Sequence, residues 1–233
     1  TLHRYRLNTM DKLKMGNNIF VGAMADVFGA WVPDAWITEI FDICRRYPIH
    51  NYLFLTKNPE RYERMDAAGM LPSGENLWYG STLTRPEDRC FISNSHHTFW
   101  SIEPIHAPIR IWERDASSPD WIIIGAETGR RKGRIIPKRE WIGDIVGWCD
   151  RSGIPVFMKD SLLGIMGEDD MRREFPRQLK RSRISEKMEK KLYAGCARCK
   201  AHMRKDEMVT LLARSRRGES AVQCGCMCRD CFE

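Results

Sequence analysis

No run in the 233-residue chain approaches 18 consecutive apolar residues, so no membrane-spanning helix is expected. The N-terminus, TLHRYRLNTM, has no hydrophobic signal core and no initiator Met. It reads as an interior start, with part of the native protein lying upstream. No GxGxxG follows the first apolar run, and no GxxxxGK[ST], HExxH or GxSxG occurs. Dinucleotide-binding, P-loop and hydrolase chemistry therefore have no local support. Disulfide spacing is missing too: Cys44, Cys90 and Cys149 stand singly, and the other cysteines form metal-ligand-type pairs. That usage points to a reducing, cytoplasmic setting.

What is present is a folded composition with eight tryptophans and a net charge of +7. The length suits one full-sized core with a small second module. Much of the basic excess lies in Arg130, Arg131, Lys132, Arg134, Lys138 and Arg139, and again between Arg172 and Lys191. Such stripes bind phosphates when they are not merely solvated faces. The alternation of aromatic and basic residues that marks a single-strand platform is not evident.

Six apolar runs alternate with helical stretches: IFVGAM at 19–24, YLFLTK at 52–57, NLWYGST at 76–82, TFWSIEP at 98–104, DWIIIGAETG at 120–129 and IPVFMKD at 154–160. Pro33 opens a helix with Trp36, Ile37, Ile40, Phe41 and Cys44 at helical spacing, and Pro48 ends it. Further helices are predicted from Asn58-Pro59 to about residue 68 and over roughly 137–151. Strands apolar on both faces and separated by helices indicate a parallel sheet, so the fold class is α/β. Asp26, Thr56-Lys57, Ser81-Thr82, Glu103, Glu127-Thr128 and Lys159-Asp160 all follow apolar runs, at the sheet edge that carries chemistry in such folds. The alternative is that polar residues simply begin loops. His96 and His97 are adjacent on an extended segment, point to opposite faces and do not share a metal.

The segments FVGAMADVFGAWVPDAWI, LFLTKNPERY, LPSGENLWYGST, FWSIEPI, PDWIIIGAETG and IPVFMKD resemble, in order and spacing, an uncharacterised phage-type family with a radical-AdoMet-like core. The likeness covers about residues 19–163. That core is distantly similar to spore photoproduct lyase. The resemblance implies a partial (β/α)6-type parallel barrel, S-adenosylmethionine and a [4Fe–4S] cluster held by three cysteines of an early loop. It implies a 5′-deoxyadenosyl radical as the working species and a reductant such as flavodoxin or ferredoxin. Carried over by position, Met24, Asp26, Thr56, Lys57 and Ser81 would contact AdoMet, and Glu103, Glu127 and Lys159 would face the substrate. Their structural alternative is ion pairing across the barrel mouth, as Lys57–Glu103 or Lys159–Glu127. The family's cysteine loop precedes the segment matching Ile19–Met24, yet only 18 residues stand before it here and none is cysteine. The cluster ligands are therefore expected upstream of this chain.

Six of the nine cysteines fall in the last 38 residues. Cys196-x-x-Cys199 and Cys228-x-x-Cys231 have the spacing of a closed four-thiolate zinc site, with Cys224 and Cys226 as alternative ligands and an iron–sulfur cluster as the alternative metal. The expected organisation is a barrel core over 1–165, a basic helical connector over 166–192 and a small zinc-ribbon-like module over 193–233. The leading functional expectation is a radical-AdoMet enzyme acting on a nucleic acid or nucleotide. The alternative is a non-catalytic nucleic-acid- or protein-binding adaptor. A zinc hydrolase is disfavoured because an all-thiolate site is closed.

Overall fold

In the computed structural model the described residues are 2–13, 16–111, 118–130 and 132–180, followed by four strands within 193–228. The chain divides into two compact units, Thr1–Arg181 and Ser182–Glu233. The first unit opens with a 3-10 segment, Arg4–Lys12. Then come β1 (Asn18–Val21), α1 (Asp34–Arg46), β2 (Asn51–Thr56), α2 (Glu60–Ala67), β3 (Leu77–Leu83), β4 (His97–Ile102), β5 (Trp121–Ile124), α3 (Arg139–Ser152), β6 (Val156–Met158) and the short α4 (Leu163–Met166). Every neighbouring pair in the sheet is parallel, and the spatial order is β1 to β6 without reversal. A sheet wound in one direction curls, and this one forms a half-barrel rather than an open sheet with a switch point.

The pleat divides the core in two. Tyr52, Phe54, Leu77 and Tyr79 face outward and meet Ile37, Phe41 and Cys44 of α1 and Tyr62 and Met65 of α2. Trp100, Ile102, Ile122, Ile124, Val156 and Met158 also face outward and meet Ile142, Ile145 and Cys149 of α3. The alternate residues Leu53, Trp78, Phe99, Trp121 and Ile123 form a separate cluster on the inner face, which no α-helix among the described residues covers. His96 and His97 obey the same alternation. His96 bonds Asp66 at 2.8 Å among the outward aromatics, whereas His97 stacks on inward Trp78 at 4.5 Å.

Two differences from the sequence expectation bear on the site. Strand β5 stops at Ile124 rather than running to residue 129, because Ser161 Oγ takes the Ala126 N–H at 2.9 Å in place of a ladder partner. Residues 166–180, expected as part of a helical connector, instead belong to the body. The Met158 N–H reaches Arg172 O and the Glu174 N–H reaches Val156 O, both at 2.9 Å, so this segment pairs antiparallel with the β6 edge. Pro176 precludes a continuous helix, and the chain turns through Arg177–Leu179. Leu179 is buried with the inner-face cluster, while Asn18 Nδ2 and Asn51 Nδ2 hold the carbonyls of Leu179 and Gln178 at 2.7 and 2.8 Å. The segment thus crosses from β6 to β1 and plugs one end of the half-barrel, opposite the C-terminal mouth.

The second unit contains β7 (Tyr193–Gly195) paired antiparallel with β8 (His202–Arg204), and β9 (Met208–Ala213) paired antiparallel with β10 (Val222–Cys228). Among the described residues no helix is long and apolar enough to cross a membrane.

Candidate functional site at the half-barrel mouth

The parallel register stacks the inner-face residues in rows. Leu55, Gly80, Phe99 and Trp121 form one row. Thr82, Ser101, Ile123 and Phe157 form the next. One step further toward the mouth the row is Glu103, Gly125 and Lys159, where the ladder continues through Gly125 N–H to Ile102 O at 3.0 Å and Lys159 N–H to Ile124 O at 2.8 Å. The row alternation places Lys57, at the end of β2, on the inner face as well.

Two glycines shape this surface. A Cβ on Gly80 would lie 2.2–2.6 Å from three ring carbons of Phe99, so the ring rests flat on the β3 backbone. A Cβ on Gly125 would lie 2.7 Å from Glu103 Oε1. Glu103, just past β4, and Lys159, just past β6, are two strands apart, roughly 10 Å along the sheet. The missing side chain at Gly125 lets the Glu103 carboxylate cross β5 and pair with the Lys159 ammonium. The ion pair therefore joins Lys159 to Glu103, not to Glu127 as the sequence alternative had it. Glu103 and Lys159, with Thr128, Phe157, Ser161 and Arg173, line a cavity of about 500 Å³. Arg173 lies over the Phe157 ring at 5.1 Å and pairs with exposed Asp160.

The residues assigned to AdoMet by resemblance sit differently. Asp26 ties the β1–α1 loop to the end of β2: its Oδ1 accepts from Phe28 N–H at 2.9 Å, and its Oδ2 accepts from Thr56 Oγ1 at 2.9 Å and Lys57 N–H at 3.0 Å. Thr56 and Ser81 have outward parity and are buried. Thr56 Oγ1 also accepts from Asn58 N–H, and Ser81 Oγ accepts from Phe91 N–H, each at 2.9 Å. Met24 is 98% exposed in the turn after β1. The Lys57 ammonium forms no ion pair among the described residues. It lines a second cavity of about 400 Å³ with Thr82, Thr84, Asp88 and Arg89. Burial works to raise the Asp88 carboxyl, but hydrogen bonds from Thr84 N–H, Thr84 Oγ1 and Arg85 N–H outweigh it and hold the group below its ordinary value.

Glu127 lies past the end of β5, with His106 Nε2 at 3.7 Å from its Oε2. It lines a third cavity of about 350 Å³ with Gly129, Arg134, Ile135 and Ile136. Thr128 and Ser161 are shared with the Glu103–Lys159 cavity, so the two adjoin. The mouth thus brings together Glu103 and Lys159 directly, with Glu127 next door. Asp26, Thr56 and Ser81 serve the loops around it. Sequence reading placed Thr82 at a strand end but passed over Ser101, His106 and Arg173. Period-two parity along β4 would have found Ser101, whereas Arg173 arrives from a segment with no strand pattern.

No group of three or more His, Cys, Asp or Glu among the described residues has the geometry of a metal site. Cys44 and Cys149 are buried under α1 and α3, and burial pushes each thiol up to about 12, far from a ligating thiolate. Of the four zinc ligands expected in the tail, Cys196, Cys199 and Cys231 lie outside the described residues, and Cys228 is the last residue of β10.

A family model described as a protein of unknown function (DUF5131) matches residues 1–183, and the chain belongs to that family. No curated protein matches the chain. No solved structure matches it either.

Proposed function

We propose that this DUF5131 member is the substrate-holding half-barrel of a radical S-adenosylmethionine enzyme and works at its C-terminal mouth. One observation carries the reading. Six sequentially ordered parallel strands bear the described α-helices on one face, and the opposite face ends in the Glu103–Gly125–Lys159 row at a cavity of about 500 Å³. The described residues do not fit a [4Fe–4S] cluster: no three His, Cys, Asp or Glu among them are grouped to hold a metal, and burial raises the Cys44 and Cys149 thiols. The cluster is accordingly assigned to no described residue, and no step is drawn through it. What the described residues contribute is a shaped, partly apolar cavity, a paired carboxylate and ammonium at its rim, and the Lys57 ammonium on the same face.

A second reading, a non-catalytic adaptor, is favoured by the way Asp26, Thr56 and Ser81 spend their polar atoms on the protein's own loops. In either case residues 193–233 are proposed as a zinc module bound through Cys196, Cys199, Cys228 and Cys231. Its support is the two CxxC pairs and the two antiparallel strand pairs.

Anaerobic reconstitution of the full-length protein separates the readings. The enzyme binds about four irons per chain as one cluster and releases 5′-deoxyadenosine with AdoMet and reductant. Zinc content falls in Cys196→Ser and Cys228→Ser variants. Absence of iron uptake and of 5′-deoxyadenosine refutes the enzyme, and unchanged zinc refutes the ligand set.

A further inference from the structure

Between Glu127 and Glu140 the sequence contains six lysines and arginines and no acidic residue. This stretch links β5 to α3 and rims the mouth. Elsewhere in the body the arginines are largely neutralised: Arg4, Arg45, Arg61, Arg64, Arg89 and Arg172 each lie within 4.0 Å of a carboxylate. In the β5–α3 loop, Arg130, Lys132, Arg134 and Lys138 are exposed and form no ion pair among the described residues. Arg134 donates to Gly129 O at 3.2 Å, a bond that leaves its charge uncompensated. Arg139, the last of the six, pairs with Asp170, so the uncompensated charge is that of Arg130, Lys132, Arg134 and Lys138, and four exposed cations so close in sequence concentrate positive potential there.

The position of the loop indicates what the potential is for. Arg134, Ile135 and Ile136 line the cavity of about 350 Å³ that also holds Glu127. This cavity adjoins the one containing Glu103 and Lys159 through Thr128 and Ser161. A repeating polyanion can lie along the loop while one of its units enters the cavity, with the apolar faces of Ile135 and Ile136 beside it. We infer that the β5–α3 loop binds the phosphodiester backbone of a single-stranded nucleic acid and presents one nucleotide to the mouth. A duplex would have to release that nucleotide from its stack first. A flat anionic bilayer would meet the cations but could not fill the concave cavity. The inference rests on the reading that the mouth is the working site.

The test is fluorescence anisotropy of labelled single-stranded DNA and RNA oligonucleotides with the full-length protein, over a salt series. Removing three phosphate contacts in Arg130→Gln/Lys132→Gln/Arg134→Gln lowers the slope of log K against log[salt] by about 2, and weakens binding about fifty-fold at 0.15 M salt. Arg45→Gln, in the last turn of α1 at the plugged end, leaves binding unchanged. The comparison of DNA with RNA shows which sugar the site prefers. Equal loss in the Arg45 variant, unchanged binding in the triple variant, or binding only to phosphatidylserine vesicles overturns the inference. Oligonucleotide binding that depends on the loop, without 5′-deoxyadenosine formation, upholds the inference and refutes the radical chemistry alone.

Discussion

Gly80→Ala tests the packing beneath the site. The new methyl group falls 2.2–2.6 Å from Phe99 Cζ, Cε2 and Cε1, well inside contact distance. The ring has little room to retreat, because Phe99 is fully buried and Trp121 stands 5.9 Å away across the next strand. Overpacking of this kind costs about 3 kcal/mol, at the upper end of the usual range. Replacing a strand glycine restrains the unfolded chain and returns about 0.5–1 kcal/mol. The net loss is about 2 kcal/mol, which lowers the melting temperature by about 4–8 °C for a unit of this size. Tryptophan fluorescence is a suitable probe, because all eight tryptophans lie within the first unit. Phe99→Leu opens space at the clash, so Gly80→Ala/Phe99→Leu is more stable than the sum of the two single changes predicts. A Gly80→Ala protein that melts within a degree of the parent, or a strictly additive cycle, would refute the flat seating of Phe99 on β3.

Gly125→Ala acts on the site itself. Its Cβ displaces the end of the flexible Glu103 side chain, so Lys159 loses its partner and becomes faster to acylate, as it does in Glu103→Gln. The pair is partly exposed and contributes less than about 1 kcal/mol, so melting changes little. Identical Lys159 acylation rates in parent and variant, measured by peptide mapping, count against the pairing across β5. Alkaline pH probes the outer core. Burial lifts the Cys44 and Cys149 thiols from an ordinary value of 9.0 to about 12, so the native state keeps protons that the unfolded chain loses. Their contribution to stability is complete below about pH 9 and is lost as pH rises toward 12, at a slope of about 1.4 kcal/mol per pH unit for each thiol. Buried Tyr52, Tyr62 and Tyr79, also raised by burial, steepen the fall at higher pH. Denaturant melts of Cys44→Ala and Cys149→Ala from pH 8 to 11 show a flatter decline than the parent, and parallel curves would contradict the thiol shifts.

The strands were legible because both faces of the sheet are apolar, one against helices and one against the aromatic interior. Six runs of Ile, Leu, Val, Phe, Trp and Tyr separated by helical spacing leave little other than a parallel sheet. The helix over Asp34–Arg46 followed from Pro33 and Pro48, and its buried Ile37, Phe41 and Cys44 lie on the face that the spacing indicated. The segment after α4 was not legible. Its basic residues suggested a solvated helix, whereas Phe175 and Leu179 are buried or partly buried on the inner face and neighbouring backbone pairs with β6. Two apolar residues separated by a proline and a turn carry no period, so their destination is set by the space the sheet leaves open.

The site shows the same limit more sharply. Position at the end of a strand places a residue at the mouth, but only parity decides whether it faces the cavity. Thr56 and Lys57 are adjacent, and so are Ser81 and Thr82; in each pair the first turns outward beneath the helices and the second turns inward. Register then supplies what parity lacks. The pairings Ser101 with Ile123 and Ile123 with Phe157 carry Glu103, Gly125 and Lys159 into one row two residues later. Glycine at the middle of that row has a reason no local pattern expresses: any side chain there would block the carboxylate from reaching the ammonium. Chemistry at this mouth is therefore encoded across three strands at once. A residue such as Gly125 is read correctly only after the sheet has been assembled around it.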